Sequence, residues 1–182
     1  MLLVAAVLTL RGAHAEHGSV PVVVAAHDLV PGAMLHAPDV AVRAWPADLA
    51  PMGALRKPAQ VEGRVLAGAA AAGEALTSAR LVGAELAVRA TGRGDTAGVP
   101  IRLADGDVAG LLTPGRAVDV VTAGPRSDEP AVVAAAAVVL AVLPPDQRAP
   151  GRGRVVVVAV PRPVASRLAA ATLSQDVAVT LR

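Results

Sequence analysis

The chain is patterned by short apolar runs separated by Gly- and Pro-rich breaks. The runs are dominated by Val and are mostly five to eight residues long. Runs of that length bounded by turn residues read as strands. Ser19 to Ala26 predicts the first, entered through Pro21, and Val40 to Trp45 predicts a second, ended by Pro46. Between them lie a Pro31-Gly32 turn and a turn or short helix at Ala37-Pro38-Asp39. Pro51, Gly53 and Pro58 mark a loop, Gly63 to Ala72 is small and apolar, and Gly73 begins another turn. Gly32, Leu35 and Val40 recur 41 residues later as Gly73, Leu76 and Leu81, the pattern of a pseudo-symmetric module with two related turns.

Gly92, Gly94 and Gly98 fall close together, so residues 83–98 are expected to be a Gly-rich linker. Beyond it, Val99 to Leu103 predicts a strand and Asp107 to Leu112 a helical turn. The Pro114-Gly115 turn leads into a strand at Ala117 to Thr122. Gly124 to Pro130 and Pro144 to Arg154 read as polar loops flanking a strand at Ala131 to Leu143. Val155 to Val160 predicts a strand, Pro161 to Ser174 a helix carrying Val164, Leu168 and Ala171 at helical spacing, and Asp176 to Leu181 a closing strand. The expected fold is mainly β with a minor helical part. Its units are a segment at 1–18, a β module at 19–82, the linker, and a second β-rich module at 99–182 that closes as strand–helix–strand.

The N-terminal run Met1 to Leu10 is shorter than the roughly 20 apolar residues a spanning helix needs. It has the length of a signal-peptide core, and Ala13-His14-Ala15 supplies a small-x-small cleavage pattern, although no Lys or Arg precedes it. Residues 1–18 are therefore expected to be a partial membrane anchor or signal-like segment, which puts the chain in the cell envelope.

Composition narrows the chemistry. There is no Cys, Phe or Tyr, and Trp45 is the single aromatic residue, so Val, Leu and Ala must fill the core. Disulfides, thiolate metal sites and Cys nucleophiles are excluded. Seventeen Lys and Arg against fifteen Asp and Glu give a net charge of +2, with acids and bases interleaved. Nucleic-acid binding needs clustered basic side chains and, for single strands, stacking rings, and neither is offered. The four His, at positions 14, 17, 27 and 36, form no HExxH motif. Ser residues lack the G-x-S-x-G elbow of a nucleophile. No phosphate loop occurs, and Asp105 and Asp107 around Gly106 suggest a turn rather than acid–base chemistry. Asp119 is expected to stabilise a turn, with Arg116 within reach as a partner. The Arg-Gly-Asp tripeptide at Arg93 to Asp95 is discounted as a chance product of a Gly- and Arg-rich loop. No enzymatic activity, metal or cofactor is expected.

The segments VPVVVAAHDLVPGAMLHAPDV and GRVLAGAAAAGEALTSARLV resemble the SAF domain over Val20 to Val82. The matching positions are Ala26, Asp28 and Leu29, then Pro31, Gly32 and Leu35, then Asp39, Gly63, and Gly73, Glu74 and Leu76. The resemblance implies a compact β-clip. The segment VPIRLADGDVAGLLTPGRAVDVVTA resembles the part that follows SAF in Flp pilus assembly proteins of the CpaB (RcpC) family, through Leu112, Pro114, Gly115, Val118, Asp119 and Val120. The close, VVVVAVPRPVASRLAAATLSQDVAVTLR, is similar to that family as well. This resemblance implies an assembly factor of a Flp/Tad-type pilus, anchored in the inner membrane and acting through protein contacts outside it. Two alternatives are a cell-wall glycan-binding module, for which Trp45 is the sole stacking ring, and an accessory domain of a sugar-acid enzyme. The expected contact residues are Arg148, Arg152 and Arg154, whose loop would meet an acidic protein surface or wall polymer.

Overall fold

The computed structural model describes residues 18–103, 105–124, 127–146 and 153–182. The segment expected to be an anchor or signal, with His14 and His17, lies outside the described residues except for Gly18. The fold is mainly β. Strands β1 (Ser19–Ala25) and β2 (Val40–Pro46) form an antiparallel pair. Strands β3 (Thr96–Leu103), β4 (Ala117–Gly124), β5 (Ser127–Val142), β6 (Arg154–Pro161) and β7 (Val177–Leu181) close into a barrel in the order β3-β6-β5-β4-β7. All barrel pairings are antiparallel except β3 with β7, which meet in parallel at Leu103 and Val177. Helices α1 (Ala84–Thr91), α2 (Gly106–Gly110) and α3 (Arg162–Ser174) complete the chain. The close is thus strand–helix–strand, as the sequence predicts.

Residues 18–82 have little regular sheet. They are built from three chain reversals, each opened by a glycine with positive φ: Gly32 (77°), Gly53 (77°) and Gly73 (82°). Five to seven residues after each glycine comes a 3-10 turn, at Ala37–Asp39, Pro58–Gln60 and Ser78–Arg80. Eight residues after each comes a buried apolar side chain: Val40, Val61 and Leu81. The two-copy echo in the sequence is therefore a threefold one. The middle copy escapes notice because its buried leucine, Leu55, follows Gly53 by two residues, whereas Leu35 and Leu76 follow their glycines by three. Leu35, Leu55, Leu76 and Leu81 share one core with Val23, Ala25, Val61 and Leu66. With no large rings available, these leucines carry the packing, and truncating one to Ala removes about 2–5 kcal/mol.

The barrel core takes alternate residues of each strand: Val99, Ile101 and Leu103 from β3, Val156, Val158 and Val160 from β6, and Leu168 from α3. Strand β6 is buried on its other face too. There Val157 and Ala159 pack with Leu140 under Ala87 of α1, which explains why Val155 to Val160 reads as an unbroken apolar run.

Three expectations change. Residues 83–98 are not a loose linker. Ala84 to Ala90 are mostly good helix formers, and the glycines around them act as helix ends. Gly92 takes φ 67° just beyond the last turn, and its N–H reaches the Val88 carbonyl at 2.8 Å. The polar tip at Gly124 to Pro130 is shorter than expected, because Gly124 pairs with Ser127 across the β4–β5 hairpin. The β5 backbone accordingly begins at Ser127 rather than Ala131. Most of the expected loop at Pro144 to Arg154 lies outside the described residues, but Arg154 is the first residue of β6.

The Pro31-Gly32 turn abuts the barrel. A Cβ on Gly32 would lie 2.5 Å from the Val142 carbonyl oxygen and 3.1 Å from Leu143 Cα, whereas Gly73 and Gly115 have nothing within 4 Å. All three have positive φ. Gly73→Ala and Gly115→Ala should each cost about 1–2 kcal/mol of backbone strain. Gly32→Ala should cost clearly more than either, because it adds a clash with fixed backbone. Chemical denaturation of the three variants checks the ranking, and equal losses would refute the close approach.

Candidate functional site

The polar residues picked out in the first module are tied to its own backbone. Asp28 Oδ1 accepts the Ala72 N–H at 2.9 Å and so joins the first reversal to the third. Asp39 Oδ2 accepts the His36 N–H at 2.8 Å, while its Oδ1 meets His27 Nε2 at 3.2 Å. In the middle reversal Gln60 Oε1 accepts the N–H groups of Arg56 and Lys57 at 2.8 and 2.9 Å. Glu74 Oε2 accepts the Ala71 N–H at 3.1 Å, and its Oε1 accepts from Arg80, which also donates to the Ala69 carbonyl at 2.6 Å. Gly63, at φ 70°, donates to the Leu35 carbonyl at 2.8 Å. Each acidic or amide side chain meets donors that a tight reversal leaves unpaired, the usual role of such groups in turns. His27 also donates from Nδ1 to the Asp28 carbonyl at 3.0 Å. That bond, joined by Asp39, holds the imidazole above its ordinary pKa. Its contribution is complete below the ordinary histidine range and fades as the pH rises through the elevated value.

The second constellation lies on the barrel. Gly115, at φ 89°, donates to the Val139 carbonyl at 2.8 Å, and the Val139 N–H returns to the Arg116 carbonyl at 2.9 Å. The Pro114-Gly115 turn thereby sets β4 against β5, with Val118 fully buried. The next residue, Asp119, faces a β-bulge in β5. The register jumps between Val118↔Ala137 and Val120↔Ala134, and Ala136 takes a φ of 51°, the one non-Gly positive value among the described residues. Asp119 Oδ1 accepts the Ala136 N–H at 2.7 Å and the Arg182 Nε–H at 2.8 Å. The Ala136 bond foremost, then Arg182, holds the Asp119 carboxyl below the usual aspartate range. Its cationic partner is Arg182 rather than Arg116, because β7 runs beside β4 and brings the C-terminal side chain alongside. The stabilised element is a bulge rather than a turn. Asp105, the other acidic candidate, caps α2 by accepting the Asp107 and Val108 N–H groups at 2.8 and 3.4 Å.

Of the three arginines expected to meet a partner, Arg148 and Arg152 lie outside the described residues. Arg154 is partly buried. Its Nε and Nη2 donate to the Leu143 carbonyl at 3.2 and 3.1 Å, and its stem packs against Gly106. It fastens the end of β5 to the start of β6 and is no loop-tip contact. Among the described residues no three His, Asp or Glu side chains gather as metal ligands would.

Arg154→Ala should therefore destabilise the fold by about 1.5–3 kcal/mol, the range for hydrogen bonds that involve a charged group. An unchanged melting temperature would return Arg154 to the role of a surface contact. At the bulge, Asp119→Ala should lower the melting temperature more than Arg182→Ala, because it strands the Ala136 N–H as well. Asp119→Asn should fall between them. A depressed carboxyl pKa gives stability that is present above the usual aspartate range and lost as the pH falls through the lowered value. The acid-side gap between wild type and Asp119→Asn should narrow accordingly. Ala136→Gly should be neutral or gain up to about 1 kcal/mol, since Ala136 is exposed and only its backbone is strained.

No curated protein and no solved structure matches the chain. The family model of the SAF domain matches residues 20–82, about a third of the chain, and these are the residues that form the three glycine-led reversals and their shared leucine core.

Proposed function

We propose that this chain is an extracytoplasmic assembly factor of a Flp/Tad-type pilus, working by protein contacts and without turnover of its own. The observation that carries the reading is the order of modules. A segment matching the SAF domain at residues 20–82 precedes a β barrel bearing the Leu112, Pro114, Gly115, Val118 and Asp119 pattern that resembles the CpaB family. The polar groups described above support a scaffold. Asp28, Asp39, Glu74, Asp105 and Asp119 each accept a backbone N–H, which suits residues that hold shape. On this reading the apolar N-terminal run directs export or anchoring in the inner membrane. No helix among the described residues is long and apolar enough to cross a membrane.

Glycan binding is the weaker reading. Trp45, the single ring available for sugar stacking, is only partly exposed.

Two measurements test the proposal. Fractionation with N-terminal mapping should recover the protein in the envelope, and soluble cytoplasmic protein with Met1 intact would overturn the localisation. Deletion of the gene should abolish surface pili, and the tagged wild-type chain should restore them and co-purify with the secretion machinery. Normal piliation after deletion, or turnover of a sugar acid by the purified protein, would overturn the function.

A further inference from the structure

Among the described residues the outer edge of β2 is unpaired. Ala26 N donates to the Asp39 carbonyl at 2.9 Å, and Ala47 N donates to the Gly18 carbonyl at 3.0 Å. These bonds fix the parity of the β1–β2 ladder: Val24 with Ala41, Val22 with Arg43, and Val20 with Trp45 exchange the hydrogen bonds. The intervening residues direct their N–H and C=O groups away from the pair. On β1 those groups are used. Val23 N reaches the Leu55 carbonyl at 2.7 Å and its own carbonyl takes the Leu76 N–H at 2.8 Å, while Ala25 N reaches the Glu74 carbonyl at 2.9 Å. Pro21, which has no N–H, sits at the outward position where none is needed. On β2 the corresponding groups belong to Val42 and Ala44. Among the described residues nothing bonds to them, and β2 pairs with no strand but β1. Val42 is 45% exposed, and the exposed Arg43 has no ion-pair partner among the described residues.

We infer that this edge accepts an extended segment of a partner protein that carries acidic side chains on the Arg43 face. The inference rests on the reading of the chain as a contact protein and names the kind of contact. Alternating donors and acceptors along a strand edge are matched in spacing by another strand. Arg43 selects which strand. Two-fold antiparallel pairing of this edge with a second copy puts Arg43 opposite or diagonal to its counterpart on the same face, and like charges so placed repel. A charge on an edge strand is a known guard against self-pairing. A carboxylate facing Arg43 turns the same charge into attraction, while a small apolar residue on the other face extends the row ending at Val42.

The test uses the full chain, isotope-labelled, with two synthetic probes: acetyl-Thr-Val-Glu-Val-Glu-Val-Thr-amide and its counterpart with Lys in place of Glu. In the free protein the Val42 and Ala44 amides should exchange rapidly with solvent while those of Ala41 and Arg43 are protected. The acidic probe should protect Val42 and Ala44 and bind two- to fivefold tighter than the Lys probe, the range for one exposed ion pair. Arg43→Glu should reverse that preference. Ala44→Pro removes an outward N–H without touching the ladder, so it should abolish protection while leaving the melting temperature nearly unchanged. Three results would overturn the inference: no protection by either probe at millimolar concentration, equal binding of both, or Val42 and Ala44 already protected in the free chain. In the last case concentration dependence identifies a second copy as the occupant, and its absence identifies the chain's own N-terminal segment. Failure here with normal co-purification of the pilus machinery removes the edge and leaves the function standing. Loss of both removes the function.

Discussion

The approach of the Pro31-Gly32 turn to the carbonyl of Val142 leaves no room for a side chain, and it sets the first reversal directly against the end of β5. A chain without Phe or Tyr cannot bridge gaps with large rings, so its elements must come close, backbone against small side chains. Tight reversals also leave amide groups without backbone partners, and short polar side chains supply them. This is why so many polar side chains serve the backbone. Asp28 and Glu74 satisfy N–H groups in the third reversal, Asp39 in the first and Gln60 in the second. Helix α1 follows from the same limit. Its Ala87 is small enough to lie on Leu140, Val157 and Ala159 and seal the outer face of β5 and β6.

Much of this was legible. Val-rich runs between Gly and Pro placed every strand, because β-branched side chains and turn residues report local geometry directly. The turn glycines Gly32, Gly73 and Gly115 were legible for the same reason: positive φ is a local demand that glycine meets without strain. The third copy of the reversal was hidden by a single-residue shift of Leu55. Residues 83–98 read as a linker because glycine marks both flexible linkers and helix ends, and only the helix-forming residues between Gly83 and Gly92 separate the two.

Partners distant in sequence were not legible. Asp119 was singled out from its motif, yet its two partners lie 17 and 63 residues away, across β5 and β7. No local pattern announces the bulge at Ala136, since alanine there is conformationally unfavourable and the sequence offers four alanines in a row. Arg154 was read from its neighbours as a loop cation. Its position at the head of a strand, beneath a carbonyl eleven residues earlier, depends on the barrel closing.

Closure also decides where contact surfaces can be. In the barrel, β4, β5 and β6 pair on both sides, and β3 and β7 complete the ring where Leu103 meets Val177. The β1–β2 pair has no such closure. Its inner neighbours are the reversals, which occupy the free side of β1 through Leu55, Glu74 and Leu76. That arrangement commits the second and third reversals to β1, and among the described residues none bonds to the free side of β2. The open edge is thus a consequence of how the reversals pack, and the charge of Arg43 tempers it. Neutralising Arg43 would leave an unguarded strand edge beside exposed Val42, the combination that favours edge-to-edge association. The residue that recruits a partner is then the same one that keeps copies apart, so self-association and partner selection should respond together, and in opposite directions, to its charge.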